Sequence, residues 1–541
     1  MKPWYKRRRY WALALLLVLV YFCLIPMPLH IAPETTGMTE PRLPNGNVDY
    51  FGAFEQMYIH KLLPPEDNGL RLLIAALGPR ALEQIAIAES VPWEEMPTHE
   101  HSKRWFENQW IPLCKRMGID PHVKPQYLDN LDFYSFLRKE WEANKTEDDN
   151  SYHNSSADDQ LWKQLVAAPW TAEKHPNIAR WLEERSPVLD LFDVAVRKPN
   201  FACYRWRPEN GGLTMILLPD VQSQRQFARE LRVRITERLG RGDVDGAWHD
   251  VMSMLILSRH HYIHEPFVVI NLVGIAMEGI AGEAVPLVLQ HGNPTPKQLE
   301  QFAKDLDSLP RRTILPAKSE YSELERIVLY SGLHCVCDRD EEIFSCFFSG
   351  DECCGRGKVS WDKTMLKSIT LLPIDWNIAG KRITAFLQTG KQMSNEEQER
   401  IHAKKIRQVE SVWSVLRVPL IRTRSQLVAD QVIAKMFGSL QPASNAFDRN
   451  NVRFDLLRLA VALERYKAAS GDYPVTLDAL VPAYLAEVPL DPFTDGKPVT
   501  YKLAPDEETA FLLYSFGENE TDDGGDERED IVIRRHGRIT F

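Results

Sequence analysis

The sequence predicts a mainly α-helical protein with an N-terminal transmembrane helix, a helical body built as a bundle or solenoid, and a separate C-terminal module. Three observations predict this. A basic flank runs straight into an uncharged apolar stretch at the start of the chain. From Asp49 onward the apolar residues recur mostly at helical spacing. The break Gln441-Pro442-Ala443-Ser444-Asn445 then separates the body from the module. A length of 541 residues exceeds one ordinary hydrophobic core. Hydrophobic residues at 44% and charged residues at 26% are a globular composition. The net charge of -10 argues against a general nucleic-acid binder, which needs a basic face. The expected segments are a cytoplasmic flank at 1–9, an anchor at 10–29, a spacer at 30–48, a mainly helical extracytoplasmic domain at 49–445 and the module at 446–541.

Lys2, Lys6, Arg7, Arg8 and Arg9 precede the uncharged run from Tyr10 to Ile25, and Pro26 and Pro28 end any helix there. At 1.5 Å per residue the run spans about 24 Å, a little short of a ~30 Å hydrocarbon core. Met27, Leu29 and Ile31 extend its apolar end, and Trp4, Tyr5, Tyr10 and Trp11 suit an aromatic belt on the basic side. Basic residues stay inside, so the chain beyond the anchor is expected outside the cytoplasm, on the periplasmic face of an inner membrane. A cleaved signal peptide is the rival reading. Cleavage after Ala32 puts His30, and cleavage before Cys23 puts Tyr21 and Phe22, where small residues are wanted.

In the body, Leu70, Leu73, Ile74 and Leu77 mark a helix that Gly78-Pro79 ends. Trp105, Trp110 and Leu113 belong to a second helical stretch, and Thr171-Ala172-Glu173 has the form of a capped start to a third. Phe227, Leu231, Ile235 and Leu239 form a stripe that stops at Gly240. Val244, Ala247, Trp248, Val251 and Leu255 form the next. Residues 270–289 are apolar nearly all round and long enough to suggest a second membrane span. Glu278 and Glu283 inside that run point to a buried core helix instead. Thr295-Pro296-Lys297 opens a further helix, Glu320 to Leu333 forms another, and residues 396–440 are charged and helix-favouring, broken at Pro419. No fixed-period repeat is present.

Candidate chemistry in the body is sparse. Cys335, Cys337, Cys346, Cys353 and Cys354 cluster beside His334. Outside the cytoplasm such a group reads as disulfides tying down a loop, with a zinc site or unpaired buried thiols as the alternatives; the spacing is not a standard zinc pattern. His260 and His264 are four apart, but no glutamate follows the first histidine, so a polar helix end is the simpler reading. His99-Glu100-His101 lies between prolines and reads as a solvated loop. There is no G-x-S-x-G elbow, phosphate-binding loop or dinucleotide turn.

The module carries more information. Leu456, Leu459, Ala460, Leu463 and Tyr466 form a helix stripe, followed by Gly471-Asp472-Tyr473-Pro474, then Val488-Pro489-Leu490-Asp491-Pro492-Phe493, then Tyr514-Ser515-Phe516-Gly517 and an acidic segment ending at Asp530-Ile531. This order resembles the periplasmic domain of the major pseudopilin of type II secretion systems, over about a sixth of the chain. The resemblance implies an α+β module: a helix, a small antiparallel sheet and a calcium-binding loop. It implies calcium as a cofactor, held by Asn519, Asp522, Asp523 and Asp530, with Asp526 in reserve. Gly524 and Gly525 let that loop turn, and Asn519 stands where the family more often has aspartate. A solvated acidic hairpin is the other reading of the same residues. The module departs from a pseudopilin in its stem, because no continuous apolar helix precedes Leu456 and the anchor lies far upstream. It is therefore expected to be a borrowed domain. The expected function is that of a membrane-anchored extracytoplasmic scaffold or interaction protein, linked to secretion-apparatus or other envelope proteins and not to nucleic acid. The alternative is an envelope hydrolase or metal-dependent enzyme with its site in the helical domain.

Overall fold

A computed structural model describes residues 11–13, 15, 29–58, 64–82, 93–127, 162–207, 213, 218–264, 267–312, 319–337, 374–390, 421–437, 440–494, 496–503 and 509–536. The described chain is mainly helical, with one three-stranded antiparallel sheet near the C-terminal end. Most of the expected anchor lies outside the described residues, as do Cys346, Cys353 and Cys354. The chain forms two compact units: Met1–Tyr58, Arg205–Leu217 and Leu315–Pro442 make one, and Ile59–Tyr204, Leu218–Ile314 and Ala443–Phe541 make the other.

The second unit begins with α1, Gly69–Leu77, whose expected stripe is buried and whose Asn68 cap accepts from the Leu70 N–H at 3.1 Å. A helix at Glu100–Trp105 replaces the loop expected around His99. The His99 carbonyl accepts from Ser102 and Lys103 at 3.1 and 2.8 Å, and the Ser102 hydroxyl donates to the Met96 carbonyl at 2.9 Å. Those bonds, with Trp93 packed edge-on to Phe106 and Trp110, outweigh the flanking prolines. Helix α2, Pro176–Val196, starts later than Thr171; Pro176 occupies the first turn, where its missing N–H costs nothing.

Helices α3, Pro219–Gly240, α4, Val244–His264, and α5, Val268–His291, form the centre of this unit. Their contact surfaces contain ion pairs as well as aliphatic side chains. Arg185 meets Glu230 at 2.8 Å, and Asp250 accepts from Arg234 at 2.6 Å and Arg238 at 2.8 Å. Helix α5 has a mean hydropathy of 1.7 over its most apolar window, enough in length and composition to cross a membrane, and 44% of that window is buried. Glu278 in its interior is buried and bound by Arg259, Arg312 and Ser258, whereas Glu283 is exposed. His260 and His261 at the end of α4 are buried, unlike a polar helix end. One ring nitrogen of His260, Nε2, faces the Val196 carbonyl at 2.7 Å. Helix α6, Pro296–Asp307, starts with the reciprocal cap of Thr295 and Gln298.

Helix α7, Leu440–Ser470, runs through position 446 without a break, and from Ala443 onward the chain shares its compact unit with the helices above. Its stripe of Leu456, Leu459, Ala460 and Leu463 is buried. Polar contacts tie it to the helical part of the same unit: Arg458 to Asp307 at 2.6 Å, Arg311 to Asp455, and the Arg259 guanidinium 4.7 Å from the Phe454 ring. Strands β1, Thr500–Leu503, β2, Thr509–Ser515, and β3, Ile531–His536, pair in the order β1-β2-β3. Leu513 lies opposite Tyr501 on one side and Ile533 on the other.

In the first unit, helices at Tyr50–Tyr58, Ser319–Cys337, Trp376–Gly390 and Ile421–Phe437 are joined by Pro33–Thr36, which lies within the expected spacer. Thr35 and Thr36 are buried, and the Thr384 hydroxyl donates to the Glu34 carbonyl at 2.7 Å. Cys114, Cys203 and Cys337 stand as thiols.

Candidate functional site

The acidic loop joins β2 to β3, and its frame is built by the motifs around it. Asp491 is buried; its Oδ1 accepts from the Ser515 hydroxyl at 2.8 Å and its Oδ2 from the Phe516 N–H at 3.0 Å. Asp491 therefore does more than shape its own turn, because it fixes the end of β2. Gly517 follows at φ +70, and a Cβ there would stand 2.6 Å from the Glu529 carbonyl oxygen. Only glycine allows the two ends of the loop to approach so closely.

Within the loop, Asp522 Oδ1 accepts from the Tyr514 hydroxyl at 2.9 Å and from the Gly524 N–H at 3.0 Å. The Asn519 amide donates to Asp523 Oδ2 at 2.7 Å, while its carbonyl accepts from the Thr521 N–H at 3.0 Å. Asp526 turns to Arg528, with Oδ2 2.7 Å from Nη2 and Oδ1 accepting the Arg528 backbone N–H at 3.0 Å. Those bonds hold its carboxyl down at about 2. Asp530 is the buried member, 6% exposed. Its Oδ2 accepts from the Gly525 N–H at 2.7 Å, and its Oδ1 has no hydrogen-bond partner. Burial pushes the Asp530 carboxyl up; the Gly525 and Asp523 N–H groups oppose the rise, and the Asp523 and Asp522 carboxylates add to it.

The five residues expected to bind calcium thus share one loop but not one role. Asp530 feels Asp522 and Asp523 as like charges, while Asp526 is engaged by a cation from its own turn. No group of three or more His, Cys, Asp or Glu side chains is gathered as a preformed metal cage among the described residues. The buried, unpartnered oxygen of Asp530 beside two further carboxylates fits a hard cation. The Asp526 side chain, held by Arg528, does not join them.

A second constellation lies on α2 and α4, where sequence reading placed nothing. Asp193 accepts from Arg197 at 2.8 Å, from His249 Nε2 at 2.7 Å and from the Ser253 hydroxyl. Burial raises the Asp193 carboxyl, but the donors from Arg197, Ser253 and His249 outweigh it and hold the group below the usual carboxylate range. The hydroxyl donates to the carboxylate and not to the imidazole, so the histidine does not activate it as a nucleophile. Its only trace in the sequence is the i,i+4 spacing of Asp193 with Arg197 and of His249 with Ser253.

No family model matches the chain, and no curated protein or solved structure matches it either.

Proposed function

We propose that the chain is a membrane-anchored extracytoplasmic scaffold or interaction protein whose C-terminal module is stabilised by calcium. The membrane, through the N-terminal run, is its first partner, and secretion-apparatus or other envelope proteins are the expected class of protein partner. The carrying observation is the acidic loop itself: Asp530 is buried at its root with an unpartnered oxygen, next to Asp522 and Asp523. The order of elements, α7 followed by β1, β2 and β3 with the acidic loop before the last strand, supports the pseudopilin-like reading. Calcium would be held by Asp522, Asp523 and Asp530, by the Asn519 carbonyl group and by loop carbonyls. Its chemistry there would be neutralisation of like-charged carboxylates by a hard cation that prefers oxygen. The loop residues supply negative charge and shape, and Asp491 and Gly517 hold its two ends in register. For the anchor, the support is the basic flank and the apolar run.

Crosslinking in native membranes followed by pull-down of the full-length chain tests the scaffold reading. Defined envelope partners should be recovered, and the chain should stay in the membrane after carbonate washing. Release by the wash, or a reporter after Phe541 active in the cytoplasm, would remove the anchor. For calcium, thermal unfolding of the full-length protein should shift upward in saturating calcium. Asp530→Ala should abolish that shift. An unchanged midpoint with the native chain leaves the loop as an acidic hairpin.

A further inference from the structure

Lys502 lies in β1, on the strand beside the loop rather than in it. Its ammonium is 4.8 Å from the centre of the Tyr514 ring and 3.5 Å from the Gly524 carbonyl oxygen. Tyr514 in turn donates to Asp522. The hydrogen bond that Lys502 donates to Tyr514 first, and then the Asp522 and Asp530 carboxylates, hold its ammonium above the ordinary lysine value. The other cations paired with the loop have different tasks: Arg528 is paired with Asp526, Arg449 with Glu518 at 3.1 Å and Arg534 with Glu527 at 4.0 Å. Lys502 instead lies against the carbonyl of Gly524, which stands between Asp522 and Asp530 along the loop.

The geometry points to Lys502 as a tethered competitor for calcium: its ammonium reaches the Gly524 carbonyl beside Asp522 and Asp530 and there takes the part of a cation when no calcium is bound. This rests on the calcium reading above and assigns that site its regulating residue. A covalently attached ammonium is always present at high local concentration. It softens the repulsion between Asp522, Asp523 and Asp530 that would otherwise favour calcium entry, and it repels the incoming divalent ion. Calcium binding then requires Lys502 to swing off Gly524, which its long flexible side chain permits on a half-buried edge strand. The effect is to set calcium affinity below what the carboxylates would reach alone, so the loop responds to higher calcium concentrations.

The test is calcium titration by calorimetry of the full-length protein in detergent micelles, starting from chelator-stripped samples. Four proteins are compared: the native chain, Lys502→Gln, Lys502→Arg and Lys497→Gln. Removing one positive charge a few ångströms from a partly solvated divalent site is expected to tighten binding about tenfold. Lys502→Arg keeps the charge and should bind as the native chain does. Lys497→Gln removes an exposed charge from another turn of the module and should also leave affinity unchanged, separating a local competitor from the general field. Native affinity in Lys502→Gln overturns the inference, as does equal tightening in Lys497→Gln. Calcium binding by Lys502→Gln but not by the native chain supports it in its strongest form. If neither binds calcium at millimolar concentration, the calcium reading itself fails.

Discussion

Glu278→Gln tests how the second unit tolerates charge in its core. Glu278 is 3% exposed and receives Arg259 Nη2 at 3.0 Å, Arg312 Nε at 3.3 Å and the Ser258 hydroxyl at 2.9 Å. Arg259 and Arg312 are each 3% exposed, so two guanidinium groups share one buried carboxylate. Burial lowers the Arg312 guanidinium to about 10, with Glu278 opposing the fall and Arg259 adding to it. Glutamine keeps the shape of glutamate and one acceptor, but leaves both cations buried with no counter-charge. Breaking a buried ion pair from one side costs about 3–5 kcal/mol. Arg312→Gln should cost less, about 1–2 kcal/mol, because it leaves Arg259 and Glu278 as a balanced pair and loses mainly hydrogen bonds. Denaturant unfolding of both variants, followed by circular dichroism, measures the difference. The acid side supplies a second readout. Burial raises the Glu278 carboxyl, but Arg259 and Arg312 outweigh it and hold the group below its ordinary value. A carboxyl depressed by folding adds stability above its unfolded pKa of about 4.3, and that stability is lost as pH falls through the folded pKa. Glu278→Gln should flatten this part of the pH–stability curve. A cost below about 1 kcal/mol, or an Arg312→Gln cost equal to that of Glu278→Gln, would refute the charge-balance reasoning.

Three further outcomes are expected. Asp193→Asn should cost about 1–2 kcal/mol, discounted because Arg197 and His249 are partly solvated, and should remove an acid-side loss of stability, since Asp193 is held below its ordinary value in the fold; urea titrations at neutral and acid pH measure both. Gly517→Ala should destabilise by about 1–3 kcal/mol, because Ala must adopt φ +70 against the Glu529 carbonyl; an unchanged urea midpoint would show that the loop ends are not closed as described. Cys114 should alkylate slowly in the native protein and quickly in denaturant, since burial pushes its thiol up to about 12; fast native labelling followed by mass spectrometry would show the site to be open.

Much of the helical architecture was legible locally. The stripes at Leu70–Leu77 and Phe227–Leu239, the helix start at Thr295-Pro296 and the stop after Ser470 are all present in the structure. Each depends on residues three or four apart, whose side chains meet within one helix whatever surrounds it. The acidic loop was legible for a similar reason, because Gly517 and Asp530 lie in one short segment. The sequence could also show that Glu278 sits in an apolar run and so cannot stay uncompensated. It could not show that Arg259 and Arg312 supply the compensation, or that α7 completes the same unit. Nor could it show that Asp193 meets His249 across 56 positions of chain. The His99 region went further, since its prolines suggested a loop and packing of Trp93 on Phe106 and Trp110 made a helix start instead. Such pairings are decided by which helix faces which, a matter of core packing between distant segments that no local pattern encodes. Lys502 belongs to the same class: its position in the sequence marks only a strand, and the register of β1 against β2, Lys502 opposite Leu512, brings its charge to the loop.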